Sequence, residues 1–186
     1  MDNLIYPQMK ILETQKCILR CATLDDANDI YECYKDEKVV EFLPFDTHKN
    51  IDDSKKFIQD FFIDSYKKHK IGHFVIVYKE NNKVIGNIGF NNIKTNAKIG
   101  EIGICINPFY WKENLSTDLA NQVIKFGFSE VGLKKIIAMI CINNKYPNNI
   151  IDKLKFKYKG IRKRKLKNHY INCHRYELTA VDYYKF

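Results

Sequence analysis

Residues 99–131, IGEIGICINPFYWKENLSTDLANQVIKFGFSEV, constrain the fold more tightly than any other stretch. Residues 99–106 form an apolar run of strand length, followed by a short loop and a long amphipathic pattern. In that pattern Leu115, Leu119, Val123 and Phe126 recur at three- or four-residue spacing, so one face of a helix is apolar. Gly132 stands where a left-handed residue would stop that helix. A strand that feeds a helix in this way leaves unpaired N–H groups, and the positive end of the helix dipole, facing the loop. Such a corner is a general receptor for anions.

The flanking sequence extends this into a mixed α/β pattern. Residues 17–22 read as a strand, and Thr23 with Asp26 reads as the cap of a helix running to about Tyr34. Residues 39–50, VVEFLPFDTHKN, read as a loop, and Asn50 with Asp53 caps a second helix. That helix carries Phe57, Ile58, Phe61 and Phe62 on a broad apolar face expected to pack on a sheet. Residues 73–77 and 84–90 read as strands joined by the turn Glu80-Asn81-Asn82-Lys83, with a polar loop over 91–98. A strand over 135–142, a short helix over 146–154, and strands over 156–162 and 170–178 complete the order. Such an order suits a sheet with helices on both faces, though periodicity alone leaves several topologies open.

A chain of 186 residues suits one domain over 1–186. Its apolar content of 45% is too high for disorder, and no apolar run is long enough to span a membrane. The start MDNLIYPQMK lacks the features of a secretion signal, so a cytoplasmic location is expected. The cysteines at 17, 21, 33, 105, 141 and 173 form neither a CxxC pair nor a zinc-like cluster with histidine. They are expected to be reduced and mostly core residues, and no metal is expected. The formal charge of +9 is concentrated: nine Lys or Arg and no acid lie between Lys153 and Lys167, which leaves 22 bases against 22 acids elsewhere. With Phe156, Tyr158, Tyr170 and Tyr176 nearby, this patch is compatible with RNA contact. The plainer reading is a solvated hairpin turn whose aromatics alternate into the core.

Glu101-Ile102-Gly103, Pro108, Tyr110-Trp111 and the run from Lys112 to Asp118 resemble the signature of the Gcn5-related N-acetyltransferase (GNAT) superfamily, in particular its ribosomal-protein, Rim-like branch. Residues 12–31, with Leu19-Arg20 and Asp26, resemble the opening of that family, and residues 144–160 its closing helix and strand. The resemblance implies an α/β (α+β) GNAT fold: a mixed, mostly antiparallel central sheet with a splayed strand pair and helices on both faces. It implies acetyl-CoA as cofactor. The pantetheine arm would lie on Ile102, Gly103, Ile104 and Cys105, and the pyrophosphate on Lys112, Glu113, Asn114, Leu115, Ser116 and Thr117, with Asn144 close by. The family motif has glycine where Lys112 and Asn114 stand. Asparagine is the best substitute in a left-handed conformation. Glu113 must point away from a pyrophosphate to avoid repulsion. Pro147 replaces a serine near the short helix, and Lys155 replaces the glycine before Phe156.

Acetyl transfer to an amine requires a base, a polarised carbonyl and a proton for the leaving thiolate. Glu101, which interrupts an apolar strand, is the candidate base; substrate binding or an ion pair with a nearby Lys or Arg is the alternative role. Backbone N–H groups near Ile104 are candidates for polarising the carbonyl, and Tyr146 for supplying the proton. Cys105 is expected to pack rather than attack. The implied acceptor is a primary amine, on a ribosomal or other protein N-terminus or on a small molecule, and the chain is expected as a monomer or homodimer. Two other readings stand beside this one: a catalytically degenerate GNAT-fold binding protein, and a basic nucleic-acid-associated module.

Overall fold

The computed structural model describes residues 9–68, 70–144 and 148–185. Among these, eight strands form one sheet: β1 Leu12–Glu13, β2 Cys17–Arg20, β3 His73–Tyr78, β4 Lys83–Lys94, β5 Ile99–Ile106, β6 Lys135–Cys141, β7 Lys157–Leu166 and β8 His169–Thr179. Their order is β1-β2-β3-β4-β5-β6-β8-β7. Only the β5–β6 pair is parallel, and the crossover between them is the long helix α5, Ser116–Ser129. On the N-terminal side lie α1 Ala27–Tyr34, α2 Glu37–Val40, α3 Ile51–Phe57 and α4 Asp64–Lys67. Short helices α6 Asn148–Lys153 and α7 Ala180–Tyr184 follow later in the chain.

β3 is buried along its whole length, as a central strand covered on both faces should be. Its side chains alternate accordingly. Phe74 and Ile76 pack into the core beneath α5, with Leu119, Val123, Ile124, Phe126 and Ile136. Val75 and Val77 face the other way, toward Ile30, Tyr34, Ile58 and Phe62. The rings of Phe74 and Phe126 meet edge to face at 5.6 Å. The local signals behave as their chemistry requires. The Thr23 N–H donates to the Asp26 carboxylate at 2.8 Å, Asn50 Oδ1 accepts from the Asp53 N–H at 3.0 Å, and Gly132 has φ +72°.

Four stretches differ from the sequence reading. Residues 39 and 40 belong to α2, because Val39 and Val40 are apolar enough to be buried. The helix after Asn50 is interrupted by a π-helical segment, Ile58–Ile63, which divides its aromatic face. Ile58 and Phe62 enter the core, whereas Phe57 stays half-buried and Phe61 exposed. β4 does not end at Phe90. Asn91 is a bulge, and pairing with β5 resumes from Asn92 to Lys94. Finally, the basic run is not a turn. Residues 157–166 are the edge strand β7, and Tyr158 (52% exposed) and Tyr170 (70% exposed) face solvent rather than the core. Among the described residues no helix is long and apolar enough to cross a membrane.

Phe126 is 2% exposed and anchors α5 to β3, so Phe126→Ala should destabilise the protein by about 3–5 kcal/mol. Thermal melts should show a Tm lower by roughly 10 °C, against a change within about 1–2 °C for Val181→Ala on the exposed surface.

Candidate active site

The parallel pairing of β5 and β6 covers only Ile99–Ile102 against Lys135–Ala138. Beyond it the strands part. Each keeps its outer partner, β5 pairing with β4 as far as Ile106 and β6 with β8 as far as Cys141. The backbone groups that residues 103–106 turn toward β6 therefore have no strand to bond. The gap opens into a cavity of about 640 Å³. Ile102, Gly103, Ile104 and Cys105 line one wall, Ala138, Met139, Ile140 and Cys141 the other, and Ser116, Ala120 and Asn144 the end near α5.

The loop into α5 is arranged as an anion cradle. Trp111 Nε1 donates to the Ile106 carbonyl at 2.8 Å and ties the loop to the end of β5. Asn114 is left-handed, with φ 55° and ψ 32°, as the glycine it replaces would be. Leu115 occupies the N-cap and provides no side-chain acceptor, so the first-turn amides of α5 remain uncapped. Lys112 is exposed and does not line the cavity. The Glu113 carboxylate is turned away, accepting from Lys16 Nζ at 2.8 Å and from the Tyr78 hydroxyl at 3.3 Å. The hydrogen bond from Lys16 holds the Glu113 carboxyl below its ordinary range. An open seam, a left-handed loop, free amides and a diverted carboxylate together fit the pantetheine and pyrophosphate of acetyl-CoA.

At its other end the cavity meets a chain of polar side chains. It runs from Tyr34 to Asn87, His73, Asn91 and Glu101, and Arg164 joins at Glu101. Its polarity follows from one end. A carboxylate only accepts, so Asn91 presents its Nδ2 to Glu101 Oε1 (3.3 Å) and its Oδ1 to His73 Nε2 (3.0 Å). His73 therefore carries its proton on Nε2. Its bare Nδ1 takes the Asn87 Nδ2–H at 2.8 Å, and Asn87 Oδ1 accepts from the Tyr34 hydroxyl. Burial pushes the His73 pKa down to about 4, so the imidazole is neutral, and burial raises that of the Tyr34 phenol. Gly103 makes the crossing possible. A Cβ there would stand 2.7 Å from Asn91 Nδ2.

Arg164 Nη1 donates to Glu101 Oε1 at 2.6 Å. Asn91 and Arg164 thus both take Oε1, and among the described residues Oε2 has no partner. Glu101 itself does not line the cavity; Asn91 and Arg164, in contact with it, do. The β7–β8 hairpin that carries Arg164 is also tied to residues 41–50, where Lys167 Nζ meets Asp46 Oδ1 at 2.8 Å.

Of the residues singled out in the sequence, Ile102, Gly103, Ile104, Cys105, Ser116 and Asn144 line one cavity. Lys112, Glu113, Asn114, Leu115 and Thr117 shape the loop and helix start beside it without lining it. Leu115 turns its side chain into the core. Tyr146 and Pro147 lie outside the described residues. Sequence reasoning missed His73, Asn87, Asn91 and Arg164. The hints were His73 in an otherwise apolar strand and the alternative role of Glu101, an ion pair with a nearby Lys or Arg, for which Arg164 is the partner. All six cysteines are free, and among the described residues no three His, Cys, Asp or Glu side chains group as a metal site.

Residues 16–157 match the acetyltransferase (GNAT) domain, and the chain belongs to that family. Uncharacterized N-acetyltransferase YoaA of Bacillus subtilis (strain 168) is 29% identical over 151 residues, covering 81% of this chain and 85% of YoaA. The microcin self-immunity acetyltransferase MccE, solved with acetyl-CoA and AMP, superposes with a TM-score of 0.75 at 22% identity, over 89% of this chain and 93% of its own. RimL, a ribosomal alpha-N-protein acetyltransferase solved with coenzyme A, gives 0.79 at 15% identity, over 94% and 99%. At these identities the property shared with the two solved structures is the fold: a central, mostly antiparallel sheet with flanking helices.

The neutral, buried His73 sets a pH dependence. Its folded pKa of about 4 lies below the ordinary 6.5, so the unfolded chain binds the extra proton between those values. The stability it permits is complete above about pH 6.5 and is lost as pH falls toward 4. Urea unfolding should show about 2 kcal/mol less stability at pH 5 than at pH 7, and His73→Gln should remove that part of the slope.

Proposed function

We propose that this chain is an acetyl-CoA-dependent N-acetyltransferase of the Rim-like branch, a cytoplasmic single-domain enzyme that acetylates a primary amine by direct attack. The observation that carries this reading is the parting of β5 from β6 into a cavity that runs from an uncapped helix start to the partners of Glu101. Solved relatives of the same fold hold acetyl-CoA or coenzyme A.

Bound acetyl-CoA supplies an activated acetyl group, and the net reaction forms a carbon–nitrogen bond, breaks a carbon–sulfur bond and releases CoA thiol and one proton. The backbone of Ile102, Gly103, Ile104 and Cys105 would hold the pantetheine arm, and an N–H near Ile104 would be the donor that polarises the acyl carbonyl. The loop backbone at Lys112, Glu113 and Asn114 and the amides of Leu115, Ser116 and Thr117 would hold the pyrophosphate, with Asn144 at the same end of the cavity. Glu101 Oε2 takes the ammonium proton through a water, because Glu101 stands one contact behind the cavity wall. Asn91 and Arg164 keep Oε1 in place during that transfer. Tyr146, assigned from its place in the sequence, would supply the proton for the leaving sulfur.

Calorimetric titration should give saturable binding of acetyl-CoA and of CoA, and absence of binding would end this reading. Glu101→Gln should lower kcat by about 100-fold or more in a thiol-release assay while the Kd for CoA changes less than about threefold. Unchanged turnover would remove Glu101 as the base.

A further inference from the structure

The acceptor half of the cavity has a composition that selects among amines. One side is a continuous aromatic wall. Tyr34 meets Phe45 at 5.3 Å, Phe45 meets Phe57 at 5.0 Å, and Phe57 stacks on Phe61 at 5.0 Å and 13°. Phe61 then meets the His73 ring at 5.1 Å, and His73 leads through Asn91 to Glu101. The wall is not closed into the core. Phe45 and Phe57 are half-buried and Phe61 is 36% exposed, so these rings present apolar surface to whatever enters.

The charged lining is cationic. Lys38, Arg164 and Lys165 line the cavity, and among the described residues no Asp or Glu does. Arg164 uses Nη1 on Glu101, and among the described residues its Nη2 and Nε have no acceptor. Arg164 lines the cavity with donors to spare, and Lys38 and Lys165 add positive charge, a lining that disfavours a polyamine and favours a carboxylate. Because Arg164 touches Glu101 at 2.6 Å, an anion held by Arg164 lies close to the amine whose proton reaches Glu101 through a water. An α-amino acid has that spacing, since one carbon separates its nitrogen from its carboxylate carbon.

We propose that the acceptor is a free α-amino acid with an apolar or aromatic side chain, its carboxylate held by Arg164 and its side chain against the Phe45–Phe57–Phe61 wall. This rests on the N-acetyltransferase reading for its chemistry but not for its binding. The amine nitrogen forms the new amide bond, the ammonium gives one proton to Glu101, a second goes to the departing sulfur, and the carboxylate is unchanged.

The test is calorimetric titration of the full chain, alone and with saturating CoA, together with thiol release from acetyl-CoA. The probes are L-leucine, L-phenylalanine, their amides, spermidine and an alanine-starting peptide amide. The two free amino acids should bind, their amides should bind roughly 10- to 100-fold more weakly, and spermidine should give no heat. Thiol release should follow the same order. Arg164→Met should erase the preference for acid over amide, and Arg164→Lys should retain part of it, with circular dichroism checking that both fold. Should Arg164→Met not fold, the acid-to-amide comparison on the unmodified chain and the lysine variant decides. Equal binding of acid and amide, tighter binding of spermidine or the peptide, or no binding of either amino acid overturns the proposal. Binding of the amino acids without thiol release overturns the acetyltransferase reading and leaves this site standing.

Discussion

The parallel contact between β5 and β6 stops after Ile102 and Ala138, and the rest of the site depends on where it stops. A buried strand cannot leave its N–H and C=O groups unpaired without a large cost. Here only the two facing edges are released, because β4 and β8 continue to pair with the outer edges. The exposed edges surround a cavity rather than close on each other, so a ligand with its own amide groups can complete the ladder. The crossover helix α5 is fixed beneath by Phe126 and Val123, and its uncapped start is delivered to the mouth of the same gap. One interruption in pairing thus supplies an extended-chain receptor and an anion receptor together.

The polar chain from Tyr34 to Glu101 is a second consequence of interrupted pairing. Asn91 is available to it only because the bulge removes that residue from the β4–β5 ladder. Burying His73 and Asn87 is tolerable because both ring nitrogens of His73 and the Asn87 amide have partners, while Asn91 carries the chain out to the exposed side and to Glu101. Its polarity has one solution, set by the carboxylate. A protonated His73 would lose its acceptor nitrogen and force Asn87 to turn, so the lowered pKa and the hydrogen-bond directions describe one arrangement. The orientation of Glu101 is therefore coupled to a neutral imidazole two hydrogen bonds away.

Much of the fold was legible in the sequence, because α5, β5 and the caps at Thr23 and Asn50 depend on local chemistry. Strand alternation, an apolar stripe and an Asn or Thr before a helix need no knowledge of distant residues. The left-handed Asn114 was legible for the same reason. The limits of β4 were not, since a bulge at Asn91 looks like the start of any polar loop. The π-helical turn was equally hidden. Phe57, Ile58, Phe61 and Phe62 read as one broad apolar face, yet Phe57 and Phe61 line the cavity while Ile58 and Phe62 enter the core. The cavity wall from residues 102–105 followed from the family motif, whereas the acceptor side has no motif and is assembled from residues of α1, α3, β3, β4 and β7 and the segments between them.

The basic run shows most clearly why the remainder was illegible. Arg162, Lys163, Arg164 and Lys165 are consecutive, so the sequence has no period with which to tell inward from outward side chains. On an edge strand such a run has an ordinary use, since charge along an unpaired edge discourages association with another sheet. Once β7 pairs with β8 the positions cease to be equivalent. Arg164 is half-buried between exposed neighbours and meets Glu101, while Lys157 meets Asp182 at the far end and Lys167 meets Asp46 at the tip. A charge that is redundant in the sequence becomes specific through strand parity alone. The β7–β8 hairpin gives Lys157, Arg164 and Lys167 each a carboxylate partner, and Arg164 meets Glu101 beside the cavity-lining Asn91.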